Sequence, residues 1–287
     1  MPIGIVTDST SYLPPALASS LGIEIVDVHV VIDGVTYKER DISVNEVLEA
    51  MRRGKPVTTS RPNPEAFSQA YRRLIDRGCD RIVSVHMSSA ISGTYDSAKL
   101  AAQELSEQVN IEVVDSKGVG AMCGFAVLDA ASTSTHENDS FAHFVRQIES
   151  QCANSTIELY VDTLEFLQRG GRISKTQSRV GNALSVKPLL HMVDGKISQH
   201  QLLRTSPKAL DRLVEITVFR AKRVHSDAGG FQIAVHHVDA QERAHLVAQQ
   251  LCEKLNIPSV QVTPVGAVIA AHVGPGAVAV VVSPTLT

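Results

Sequence analysis

Arg81-Ile82-Val83-Ser84-Val85-His86-Met87-Ser88-Ser89-Ala90-Ile91-Ser92-Gly93-Thr94 is the stretch on which the fold class turns. Its first seven residues are a β-branched, mostly apolar run, and a hydroxyl-rich loop follows. Beyond the loop, Ser92–Gln108 carries helical spacing. A buried strand that feeds a helix through a short polar loop is the repeating unit of an open α/β sheet. The same unit appears on both sides. Upstream, Ile3–Thr7 is a β-branched run that ends in the turn Asp8-Ser9-Thr10. Downstream, Ile111–Val114 ends at Asp115-Ser116. The segment from Gly118 to about Ala131 is helical and apolar nearly all round, which suits a helix buried between layers or lining an apolar cavity.

Between these units, Ile23–Ile32 reads as one long strand that turns at Asp33-Gly34 into Val35–Tyr37. Ser43 and Glu46 are spaced as a capping box, with Gly54 as the stop of that helix. Asn63 and Pro64 open a further helix that ends near Gly78. After about residue 150 the pattern changes. Pro188–Val193 and Lys196–Leu202 flank Asp194-Gly195, a signal for an antiparallel hairpin. A long helix over Ser206–Val224 precedes strand Phe231–His237, helix Glu242–Leu255 and strand Val260–Val262. Val278–Val282 is all aliphatic and is expected to be a central strand. The expectation is an α/β protein of two domains. Residues 1–150 form a doubly wound, mostly parallel sheet with ligand loops, and residues 151–287 form a mixed sheet with helices.

Composition narrows the function. Among 287 residues the net charge is −3 and Trp is absent, so a nucleic-acid binder, which needs a basic excess and stacking rings, is disfavoured. Cys79, Cys123, Cys152 and Cys252 form no C-x-x-C pair and suggest neither a zinc site nor a disulfide framework. No secretory signal and no apolar run of membrane-spanning length is visible, so a cytoplasmic protein without an integral membrane segment is expected. Phosphate-loop, nucleophile-elbow and H-E-x-x-H motifs are missing. His236-His237 would point to opposite faces of a strand and chelate one metal poorly.

Ligands of doubly wound sheets sit beyond the carboxyl ends of the strands. Four hydroxyl-rich loops fall there: Thr7–Ser11, Thr58–Arg61, Ser88–Thr94 and Asp115–Gly120. Any one such hydroxyl is ordinarily a helix cap or turn former, but four loops at one sheet edge point to a ligand. Ser92-Gly93-Thr94 opens a helix, a place that favours a carboxylate or phosphate. Phe166-Leu167-Gln168-Arg169-Gly170-Gly171-Arg172-Ile173-Ser174 sets a flexible pair of glycines between two arginines, aiming Arg172 inward or leaving it to complement a helix end. His272 precedes Gly274-Pro275-Gly276 and is suited to donate to a carboxylate. Ser92 with His272 as base is the alternative, a hydrolase or phosphatase, for which no third, orienting group stands out.

Seven pieces in one order resemble the DegV proteins, which include the fatty-acid-binding subunit of bacterial fatty acid kinase. They are Val6-Thr7-Asp8-Ser9, Thr59-Ser60-Arg61-Pro62, Ser88-Ser89-x-x-Ser92-Gly93-Thr94-Tyr95, Asp115-Ser116, Phe166-Leu167-x-x-Gly170-Gly171-Arg172-Ile173, Lys187-Pro188 and His272-x-Gly274-Pro275-Gly276. The resemblance spans residues 3 to about 282. It implies two α/β domains and a long-chain fatty acid in an apolar tunnel, its carboxylate held by Thr59 and Ser92. Ser60, Gly93 and Thr94 belong to the same two segments, and Arg172 and His272 support the head group. It further implies a carrier without catalytic residues, metal or cofactor of its own, whose acid is phosphorylated by a separate kinase subunit. Many relatives carry Gln-Pro-Ser after the Thr-Ser pair where this chain has Arg61-Pro62-Asn63, so Arg61 adds a cation near the expected head group.

Overall fold

The computed structural model describes residues 2–133, 140–173 and 186–286. The chain begins with β1 (Ile3–Asp8), α1 (Pro15–Ser20), β2 (Glu24–Val26), β3 (His29–Ile32) and β4 (Val35–Lys38). It continues through α2 (Val44–Arg52), β5 (Val57–Ser60), α3 (Pro64–Asp76), β6 (Arg81–His86), α4 (Thr94–Glu104), β7 (Asn110–Asp115) and α5 (Ala121–Thr133). Then come α6 (Phe141–Asn154), β8 (Thr156–Tyr160), α7 (Glu165–Arg169), β9 (Lys187–Val193), β10 (Lys196–Leu203) and α8 (Ser206–Ala228). The remainder is β11 (Phe231–His237), α9 (Gln241–Leu255), β12 (Gln261–Pro264), α10 (Ala267–Val273) and β13 (Val278–Pro284).

The first sheet is wholly parallel, in the order β2-β1-β6-β7. Because the strands alternate, Ile5, Val83 and Val85 pack against α5 and α6, while Val6 and Ile82 pack against α3 and α4. This is the doubly wound arrangement. The second sheet is mixed, in the order β10-β9-β8-β13-β11-β12. One face, carrying Tyr160, Leu189 and Val235, is covered by α8 and α9. The other meets α5, α7 and α10. The aliphatic β13 lies in the interior of this sheet, and all seven of its residues are buried. Residue 150 lies inside α6, which touches both β7 and β13.

Ile23–Ile32 is not one strand. β2 pairs in the parallel sheet, whereas β3 belongs to a separate antiparallel sheet, β4-β3-β5. The break is held at Asp27-Val28: Asp27 pairs with Arg40 at 2.6 Å, and the Val28 N–H donates to Ser9 Oγ at 3.1 Å. Hydrophobicity runs through the break because Val26 is buried in one cluster and Val28 and Val30 in another. The capping box of Ser43 and Glu46 is present at α2, and Asn63 Oδ1 accepts from the Ala66 N–H at the start of α3. The apolar helix α5 is packed between the two sheets and does not line the cavity described below. Among the described residues, no helix is long and apolar enough to cross a membrane.

Candidate functional site

A cavity of about 270 Å³ lies against the inner face of the mixed sheet. Its walls are aliphatic: Ile157, Leu159, Leu190 and Met192 come from β8 and β9, and Val268 and Ile269 come from α10. These residues reach it because strand side chains alternate, so every second residue of β8 and β9 points inward. A site of this make-up takes a long apolar body and holds it without directional bonds.

The polar lining is connected residue to residue. Thr59 Oγ1 lies 2.8 Å from His272 Nε2. The His272 ring rests on Gly170, where a Cβ would lie 2.3 Å from Nδ1, so glycine is required there. Two residues on, the Arg172 guanidinium donates to the Ile91 carbonyl at 3.1 Å and to the Gly170 carbonyl. Ile91 leads into Ser92-Gly93, and Arg61 lies across Gly93, whose Cβ would sit 2.4 Å from Nη1. Arg61 then returns along β5 to Ser60 and Thr59. Thr59, Ser60, Arg61, Ser92, Gly93, Arg172 and His272 therefore all border the cavity. Thr94 does not; it is wholly buried, its hydroxyl 2.9 Å from Ser92 Oγ. Ser174 falls outside the described residues.

Burial, with the Arg172 cation nearby, pushes His272 down to about 4, so the ring is neutral near pH 7. Among the described residues, its Nδ1 is buried without a hydrogen-bond partner. An orphaned acceptor is cheaper to bury than an orphaned N–H, which assigns the proton to Nε2. Thr59 Oγ1 then accepts from His272, and its own proton is free to be donated to an anion. No hydrogen bond joins Ser92 to His272. The Ser–His–Asp arrangement that does occur is Ser84, His86 and Asp8, with contacts of 2.6 and 3.1 Å, and all three are sealed in the core with no access for a substrate.

Two of the four hydroxyl-rich loops are occupied internally. Ser9 donates to Glu39 and Thr10 to Asp8, both at 2.5 Å, and Ser11 donates to the Asp8 carbonyl. The Ser116 hydroxyl accepts from the Gly118 N–H. Backbone amides of these loops also point inward: Met87 to Asp8, Ser88 to Gly118, Ser116 to His86 and Gly120 to Thr10. Thr58–Arg61 is not a loop beyond the parallel sheet at all; Val57–Ser60 is β5 of the antiparallel sheet, and it approaches the cavity from the side. Polar cavity residues not foreseen from sequence are Tyr12, His191, His236 and His237. His236 Nε2 accepts from the Ala121 N–H at 2.9 Å, so Nδ1 carries the proton toward Thr263 Oγ1. An adjacent histidine pair was the one signal available for it.

Fold and site together define a class: a three-sheet α/β protein with an apolar chamber whose polar edge carries two arginines and a neutral histidine. The chain belongs to the DegV family, as the family model described as "Uncharacterised protein, DegV family" matches residues 2–285. A DegV domain-containing protein of Streptomyces coelicolor is 42% identical over 98% of both chains. A fatty-acid-binding DegV family protein from Thermus thermophilus superposes with a TM-score of 0.89 at 31% identity, covering 99% of this chain and 100% of that one. DegV of Bacillus subtilis, described as a fatty acid binding protein, gives a TM-score of 0.84 at 31% identity over 99% of both chains.

Proposed function

We propose that this chain binds one long-chain fatty acid, with its acyl chain in the cavity and its carboxylate at Thr59 and Ser92. The observation that carries the reading is an aliphatic chamber edged by one connected set of hydroxyls and cations. The fatty-acid-binding DegV proteins of matching fold support it. A buried carboxylate needs several converging donors. Thr59 Oγ1, polarised by His272, supplies one, and Ser92 a second; Ser60 and the main chain at Gly93 stand beside them, and Thr94 orients Ser92. Arg61 and Arg172 offset the charge. Each buried methylene contributes about 0.8 kcal/mol, so chain length dominates affinity while the polar edge fixes orientation.

In this reading the chain is a cytoplasmic carrier, not an enzyme, and it presents the acid to a separate kinase subunit for phosphorylation. Mass spectrometry of organic extracts from purified, unsupplemented protein is the test. One equivalent of long-chain acid is expected. An empty extract, followed by no binding of added palmitate or oleate, would sink the proposal and return attention to hydrolysis.

A further inference from the structure

The mixed sheet carries a second cluster on its α8 side, of which Glu158 and His200 do not border the chamber while His191 also does. Glu158 of β8 and His191 of β9 are directly paired in register, and His200 of β10 joins them. The β9–β10 register shifts between Gln199 and Gln201, so His200 is the extra residue of a β-bulge. Such a bulge re-aims a side chain that regular pairing would place elsewhere. Here it brings His200 Nδ1 to 2.9 Å from Glu158 Oε2 and stacks its ring on His191 at 4.6 Å. Leu189 and Tyr160, which flank these positions on the same face, pack under α8, whereas Leu190 and Met192 point to the chamber.

We propose that Glu158, His191 and His200 bind a late first-row divalent cation of the zinc class. One ligand atom from each residue lies within 4.8 Å of the others, and this is the one such cluster of three among the described residues. Four-coordinate zinc needs ligand atoms about 3.3 Å apart, with water at the fourth position. The approach is small, but the stacked rings must first turn toward one point. The His200 side chain, 24% exposed, has room to do so. Burial pushes His191 down, toward the neutral form a metal requires. Glu158 is 4% exposed, and among the described residues its nearest fixed cation, Arg220, is 3.9 Å away and makes no hydrogen bond through Nε. A buried carboxylate with so loose a partner is better matched by a directly bound ion. Arg220, and Arg212 beyond it, oppose that ion and limit its affinity. Glu158, His191 and His200 lie outside any contiguous metal motif, so the sequence alone assigns no metal ligand.

The test is Zn²⁺ titration of chelator-stripped full-length protein in competition with a chromophoric chelator, with Co²⁺ absorption as the geometric readout. One equivalent is expected, with tetrahedral-type Co²⁺ bands. His191→Ala and His200→Ala should each weaken binding at least about tenfold. Arg220→Gln, which keeps the helix and removes the opposing charge, should tighten binding severalfold. Absence of a stoichiometric site, binding undiminished in both histidine variants, or binding unmoved by Arg220→Gln would each overturn the assignment. A lipid extract reads the chamber independently.

Discussion

In the proposed head-group site, Thr59, His272 and Ser92 would divide the work of holding an anion. His272 stays neutral and gives its one proton to Thr59, which frees the threonine hydroxyl to point outward. Ser92 is oriented from behind by the Thr94 hydroxyl and amide. Thr59→Val and Ser92→Ala are each expected to weaken acid retention by roughly ten- to a hundredfold, since one charge-assisted hydrogen bond is worth roughly 1.5–3 kcal/mol and the acyl chain contributes far more. Acyl-phosphate formation with the proposed kinase subunit should fall further, because orientation is lost. Displacement of a fluorescent fatty acid and acyl-phosphate yield measure the two effects; if neither changes, the head-group assignment fails. These residues were legible in the sequence only through their motif order. Each hydroxyl alone is as consistent with a cap, and Ser9, Thr10 and Ser11 are indeed tied into the core.

At the scale of elements, α5 shows what periodicity reveals and what it hides. Its uniform apolarity marks burial, and burial is what occurs, but no pattern along the helix says which two layers it separates. Gly124 records the answer. A Cβ there would lie 2.6 Å from the Ser11 carbonyl oxygen, at the closest approach of α5 to the loop after β1. Helix propensity alone favours Gly→Ala by up to about 1 kcal/mol. The contact reverses the sign, and Gly124→Ala is expected to destabilise by about 1–3 kcal/mol in urea unfolding; a stabilised variant would show that the loop yields. The β2–β3 break was illegible for a related reason. Its cause is two long-range contacts, Val28 to Ser9 and Asp27 to Arg40, which a local run of valines does not announce. Hairpins and caps, whose causes lie within a few residues, were read correctly at Asp194-Gly195 and Ser43.

Across the whole molecule, Glu39 joins parts far apart in sequence. Its carboxylate accepts from Ser9, from Tyr12 and from the Val268 N–H that opens α10, the helix bearing His272. Burial, against those bonds, raises Glu39 to about 7. The folded state therefore holds a proton that the unfolded chain releases above its ordinary value of 4.5. This contribution is fully present below pH 4.5 and is lost as pH rises through 7. His236 and His272, both depressed to about 4 by burial, act oppositely, and their contribution is lost as pH falls from 6.5 through 4. Glu39→Gln removes one side of this balance. Relative to wild type, its folding equilibrium should improve by up to about tenfold per pH unit between 4.5 and 7. Urea unfolding at pH 5 and pH 8 checks this, and parallel curves would show that Glu39 does not titrate there. The inward-facing amides at the end of the parallel sheet have a different consequence, one of timing. Met87 and Ser116 follow strand ends and donate to Asp8 and His86 of β1 and β6, while Ser88 and Gly120 tie the loops to one another through Gly118 and Thr10. Their deuterium uptake should keep the clock of β1 and β6, so this end of the sheet is a frame that a ligand meets already set.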